Sequence, residues 1–140
     1  MIRIISMADK TGDLRRELVS SSKQIMRHLA KIAVTTQKSS YNHWRQEILS
    51  FLYVVPKLKS TKKPPSFRFI YDAIWKTWGD SFDVFIKQTY AEYGEETRDV
   101  DVADVTKRAE AYLKWLSQEL SAKQGVNPND VYAKLQELGF

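Results

Sequence analysis

Apolar residues recur three and four positions apart along most of the chain and seldom alternate with polar ones, which predicts helices rather than strands. A first helix is expected from a Thr11 or Asp13 cap to about Thr35, with Leu14, Leu18, Ile25, Leu29 and Ile32 on one stripe. Ser39 or Ser40 is placed to cap a second, carrying Tyr41, Trp44, Ile48, Phe51, Val55 and Leu58, with a stop or kink at Pro56. Lys57 to Pro65 holds four Lys, two Pro and almost nothing apolar, and reads as the principal exposed loop.

A third helix is expected near Ser66, with Phe67, Ile70, Tyr71, Ile74 and Trp78 inward and Gly79 as its end. Asp80 is placed to cap a fourth, which carries Phe82, Phe85, Ile86, Thr89 and Tyr93 and ends at Gly94. The acidic stretch Glu95 to Asp104 reads as a loop into a fifth helix. Its core stripe is Val102, Val105, Ala109, Tyr112, Leu113, Leu116 and Leu120, and Gly125 breaks it. Asn127-Pro128, a cap followed by a first-turn proline, opens a short last helix with Val131, Leu135 and Leu138 inward. The pattern predicts an all-α fold, a compact bundle of five to six helices over residues 13–140. Residues 1–12 form a peripheral segment whose first six residues either pair as a strand with a partner or are disordered.

Length and composition support one soluble domain. A chain of 140 residues can bury roughly two thirds of its unfolded surface in one core. Its four Trp, seven Tyr and six Phe supply bulky material for that core. The absence of Cys removes disulfides, thiolate metal sites and a cysteine nucleophile, and fits a reducing cytoplasm. No window approaches the roughly 18 to 20 apolar residues of a membrane span, so a cytoplasmic protein with no membrane partner is expected.

Charge is distributed unevenly. Between residues 14 and 68, twelve Lys or Arg face two acids, a net +10, whereas from residue 69 onward thirteen acids outnumber eight bases. So large an uncompensated positive charge calls for an anionic partner, and nucleic acid is the commonest large one. At 100° per residue Arg16, Lys23, Arg27 and Lys31 fall opposite the apolar stripe of the first helix, with Lys38 following. Lys57, Lys59, Lys62 and Lys63, with Arg68 beyond them, form a second cluster. These ten residues are the candidates for phosphate contact along DNA or RNA. The off-stripe aromatics Tyr53, Phe69 and Trp115 are read as contacts to neighbouring helices or a partner protein.

Catalytic and metal chemistry find little support. His43 and Glu47 lie one helical turn apart and His28 could converge on them, but no third ligand has the right spacing. The carboxylates from Glu95 to Asp104 lack the spacing and central Gly of a calcium loop. There is no phosphate-binding or dinucleotide glycine motif and no nucleophile elbow. A non-enzymatic protein without cofactor or metal is therefore expected. A basic amphipathic helix can also lie on anionic lipid, but this apolar stripe is needed to close the bundle.

Three stretches together resemble the small-subunit family of multi-subunit type I and type III CRISPR effector complexes. They are Phe51-Leu52 before the lysine-rich loop, Ile70 to Trp75 with Trp78, and Thr106 to Leu116 ending in Trp115-Leu116. The resemblance implies a non-catalytic helical subunit of an RNA-guided ribonucleoprotein that takes part in antiviral defence. Such a subunit stacks against other subunits and copies of itself and presents a basic face to a target or displaced strand. Sequence is then read by guide pairing, so the protein needs backbone contacts only. The alternative expectation is a protein-interaction adaptor or inhibitor, of phage or mobile-element type, whose basic half docks an acidic partner surface.

Overall fold

The computed structural model describes residues 7–50, 65–122 and 126–140. Among these, the regular elements are all helices, with one isolated bridge between Thr35 and Thr97 as the only strand-like pairing. The helices are α1 (Met7–Val34), α2 (Tyr41–Leu49), α3 (Phe67–Tyr71), α4 (Phe82–Tyr93), α5 (Val102–Ala122) and α6 (Pro128–Glu137). A π-helical turn, Asp72–Lys76, prolongs α3. The expected all-α bundle is what the chain forms.

The long α1 is the centre of the bundle. It packs against α2 and α4, and also meets the π-helical turn and α5, while α6 bridges α2 and α5. Each expected apolar position of α1, from Leu14 to Ile32, is buried. Met26, Ala30, Ala33 and Val34 are buried as well, because the C-terminal half of α1 is covered from more than one side. Burying these side chains is the main favourable contribution to the fold, at about 25 cal/mol for each Å² of apolar surface removed from water.

Helix ends follow the expected residues in some places and depart from them in others. Ser66 Oγ accepts from the Phe69 amide at 3.1 Å, and Asn127 Oδ1 accepts from the Asn129 amide at 2.9 Å. Asp101 Oδ1 accepts from the amides of Ala103 and Asp104, satisfying the first turn of α5. Gly94 ends α4 at φ 55, a left-handed conformation that glycine adopts without a Cβ clash. By contrast, α1 starts at Met7, and Asp13 lies inside it, paired with Arg16 one turn on. The Ser40 and Asp80 caps are not made either. Both α2 and α4 are entered through a 3₁₀ turn, Lys38–Ser40 or Gly79–Ser81, whose carbonyl takes the first helical amide in place of a side chain.

One further expectation is corrected. Val102 is 39% exposed rather than in the core, since it stands in the first turn of α5 ahead of the packed stripe. Phe140, which no periodic stripe contains, is buried. The acidic loop is anchored rather than only solvated. Thr36 N donates to the Glu96 carbonyl at 3.0 Å, and Arg98 N to the Val34 carbonyl at 2.8 Å. Tyr90 Oη donates to the Arg98 carbonyl at 2.9 Å and accepts from the Val100 amide at 3.2 Å. Phe51, Val55, Pro56 and Leu58 lie outside the described residues, as do the lysine-rich loop up to Pro64, Gly125 and residues 1–6. Among the described residues, no helix is long and apolar enough to cross a membrane.

Candidate nucleic-acid interface

A groove of about 600 Å³ runs between α1 and α4. Lys23, Arg27 and Lys31 form its α1 wall. Their spacing of four residues stacks them on one face, and their Cα atoms span about 12 Å at 1.5 Å per residue. The α4 wall presents Val84, Gln88 and Glu92, while Trp78, Phe85 and Thr89 lie between the walls.

The lining is held in place by the core beneath it. Phe85 and Thr89 are buried, and Thr89 Oγ1 donates to the Phe85 carbonyl at 2.8 Å. Trp78 packs edge-on to Phe85, with ring centroids 5.7 Å apart. Its Nε1 donates across to the Val19 carbonyl at 3.2 Å. The half-buried tryptophan therefore fixes how α4 approaches α1 at one end of the groove.

The cations differ in surroundings. Lys23 is exposed, Arg27 and Lys31 are half-buried, and Lys31 Nζ lies 6.0 Å from the centre of the Trp44 ring. Among the described residues none of the three takes part in an ion pair. Among the described residues, pairs are made by Arg16 with Asp13, Lys76 with Asp72, Lys87 with Asp83, Arg108 with Asp104 and Lys134 with Glu137. Every one of these is a local contact within or beside a single helix turn. The groove cations are thus not paired with a carboxylate among the described residues.

Of the ten candidate phosphate contacts, the structure brings together Lys23, Arg27 and Lys31. Arg16 is on α1 but does not line the groove. Lys38 is exposed in the turn beyond α1, and Arg68 is exposed on α3. Neither lines the groove. Lys57, Lys59, Lys62 and Lys63 lie outside the described residues, as does Tyr53. Phe69 and Trp115 are half-buried against the core, so their off-stripe positions are explained by packing.

His28 borders the row. Burial pushes its pKa below the ordinary 6.5; the Gln24 carbonyl opposes the shift, Lys31 adds to it, and Glu47 and Arg27 act more weakly in opposite senses. His43 and Glu47 approach at 3.7 Å, and among the described residues no group of three His, Asp or Glu side chains is placed to hold a metal ion. The α4 residues facing the basic row had no signal in the sequence beyond their helical spacing. No protein-family model matches the chain, and no curated protein or solved structure matches it.

Proposed function

We propose that this chain is a non-catalytic subunit that holds a nucleic-acid strand by its phosphates along the α1–α4 groove, as part of an RNA-guided ribonucleoprotein. The observation that carries this reading is the row Lys23, Arg27 and Lys31, aligned on one wall and free of ion pairs among the described residues. Such a row matches a chain of regularly spaced negative charges, because phosphate contacts release counterions without reading base identity. The 12 Å span accommodates about two to three successive phosphates.

The ribonucleoprotein setting comes from the resemblance to the small subunits of CRISPR effector complexes. In that setting, other subunits or further copies of the chain are its protein partners, and the guide supplies sequence recognition. The negatively charged second half of the chain gives such partners a surface of opposite sign.

An adaptor that docks an acidic protein surface has one observation in its favour, the 45% exposure of Val84 on the groove wall. Binding of mixed-sequence single- and double-stranded oligonucleotides, alone and in the assembled complex, separates the two readings. Strand binding predicts retention at about 50 mM salt that weakens steeply as salt rises. Failure of the chain and its complex to retain either oligonucleotide overturns it in favour of the adaptor.

A further inference from the structure

The two walls of the groove differ in chemistry, and contacts at its ends set their register. At one end Trp78 donates to the Val19 carbonyl, and just beyond the other Thr35 pairs with Thr97. Helices α1 and α4 therefore run side by side in the same direction, with facing positions about sixty apart in sequence. This register sets the row Lys23, Arg27 and Lys31 of α1 alongside Val84, Gln88 and Glu92 of α4 in one groove.

Among the described residues, Glu92 is the only carboxylate in the groove lining. It is exposed, and its side chain makes no hydrogen bond or ion pair among the described residues. A phosphate set against Glu92 is repelled, whereas one set against the α1 row is attracted, so a bound strand has a preferred orientation. Its phosphates follow α1, and its bases turn toward α4. On that side Val84 offers an apolar contact to a base face, and Gln88 and Glu92 offer polar groups to a base edge.

An ionised carboxylate only accepts hydrogen bonds, so Glu92 favours base edges that present N–H groups. Guanine presents two adjacent donors, N1–H and the exocyclic N2 amine, that match the two carboxylate oxygens. We infer that Glu92 reads an unpaired guanine in the strand held by Lys23, Arg27 and Lys31. This inference rests on the strand-binding reading and adds to it a base preference that the α1 row cannot supply.

The test uses three short dT strands of equal length: one unaltered, one with a single central guanine, and one with hypoxanthine in its place. Hypoxanthine lacks the N2 amine and is otherwise the same base. The wild-type chain is expected to bind the guanine strand about five-fold or more tightly than the hypoxanthine strand. In Glu92→Gln one oxygen becomes an amide donor, so this difference should vanish, while the unaltered dT strand binds at least as tightly as before. Equal wild-type binding of the guanine and hypoxanthine strands, with dT binding retained, overturns base reading and leaves strand binding intact. A guanine preference that survives Glu92→Gln does the same. Loss of all three strands by the wild-type chain removes strand binding and base reading together.

Discussion

Lys31 places its ammonium 6.0 Å from the centre of the Trp44 ring, which joins the basic row of α1 to the aromatic core contact of α2. Trp44 is buried and itself packs edge-on to Tyr93 at 5.8 Å. The cation therefore sits where it can serve both the fold and a ligand. Lys23→Ala and Arg27→Ala should weaken oligonucleotide binding and leave the melting temperature nearly unchanged. Lys31→Ala should weaken binding and also cost about 0.5–1 kcal/mol of stability. Thermal melts alongside binding curves check this division, and an equal stability loss in all three variants contradicts it.

His28 reports on the same row. Its Nδ1 donates to the Gln24 carbonyl at 2.6 Å, which leaves Nε2 as the nitrogen that titrates. With its pKa held below 6.5 in the fold, mainly by burial, the unfolded chain takes the proton first as pH falls. The stabilising contribution is complete above pH 6.5 and is lost as pH drops from there through the folded pKa. A polyanion on Arg27 and Lys31 would screen two charges that hold the pKa down, so binding should raise it and strengthen at lower pH. An NMR titration of the His28 ring is expected to give a midpoint below 6.5 in the free chain and a higher one with a dT strand bound. A free-chain midpoint at or above 6.5 contradicts the burial described here.

Gly79 is required by close approach. A Cβ at this position would lie 2.5 Å from the Trp75 ring, inside any normal contact distance. Gly79→Ala should therefore cost about 1–3 kcal/mol, because neither the indole nor the turn into α4 can yield freely. Calorimetric melting checks this through a drop of several degrees. An unchanged melting temperature would show that the turn relaxes without cost.

Arg108 secures the last turn of the chain. Its Nη1 donates to the Leu138 carbonyl at 3.0 Å, its Nε to Asp104 at 3.0 Å, and its guanidinium carbon lies 5.2 Å from the centre of the Phe140 ring. Arg45 Nε donates to the Phe140 carbonyl at 2.7 Å from the other side. Arg108→Ala should destabilise by about 2 kcal/mol, and Arg108→Lys should recover little, since an ammonium cannot make the forked and stacked contacts together. Urea unfolding of both variants decides it. Full recovery by lysine would show that charge alone matters.

Much of the fold is legible in the sequence because its signals are local. Helical spacing identifies the buried face of α1 from Leu14 to Ile32, and Ser66, Asn127 and Gly94 mark ends that depend on a few neighbouring atoms. The misplaced caps at Asp13, Ser40 and Asp80 share one cause. A residue suited to cap a helix can equally pair within it, and a 3₁₀ turn can satisfy the first amide by backbone alone.

The candidate site was half legible. Spacing alone puts Lys23, Arg27 and Lys31 on one face of α1, and it puts Arg16 there too. What separates Arg16 from the groove is the packing of α4, and what sets Val84, Gln88 and Glu92 opposite the other three is the register fixed by Trp78 and Val19. That register is a tertiary contact between residues far apart in the chain. Phe140 is buried for a similar reason, through two arginines on α2 and α5 that no periodic stripe connects to it.

The central claim, that the α1 row of the groove holds a polyanion, is tested most directly by the salt dependence of binding to a dT strand. The wild-type chain should be compared with a folded Lys23→Gln, Arg27→Gln, Lys31→Gln triple variant between about 50 and 200 mM salt. Three lost phosphate contacts should make the slope of log affinity against log salt less steep by about two units. An unchanged slope and affinity in the triple variant would contradict the account.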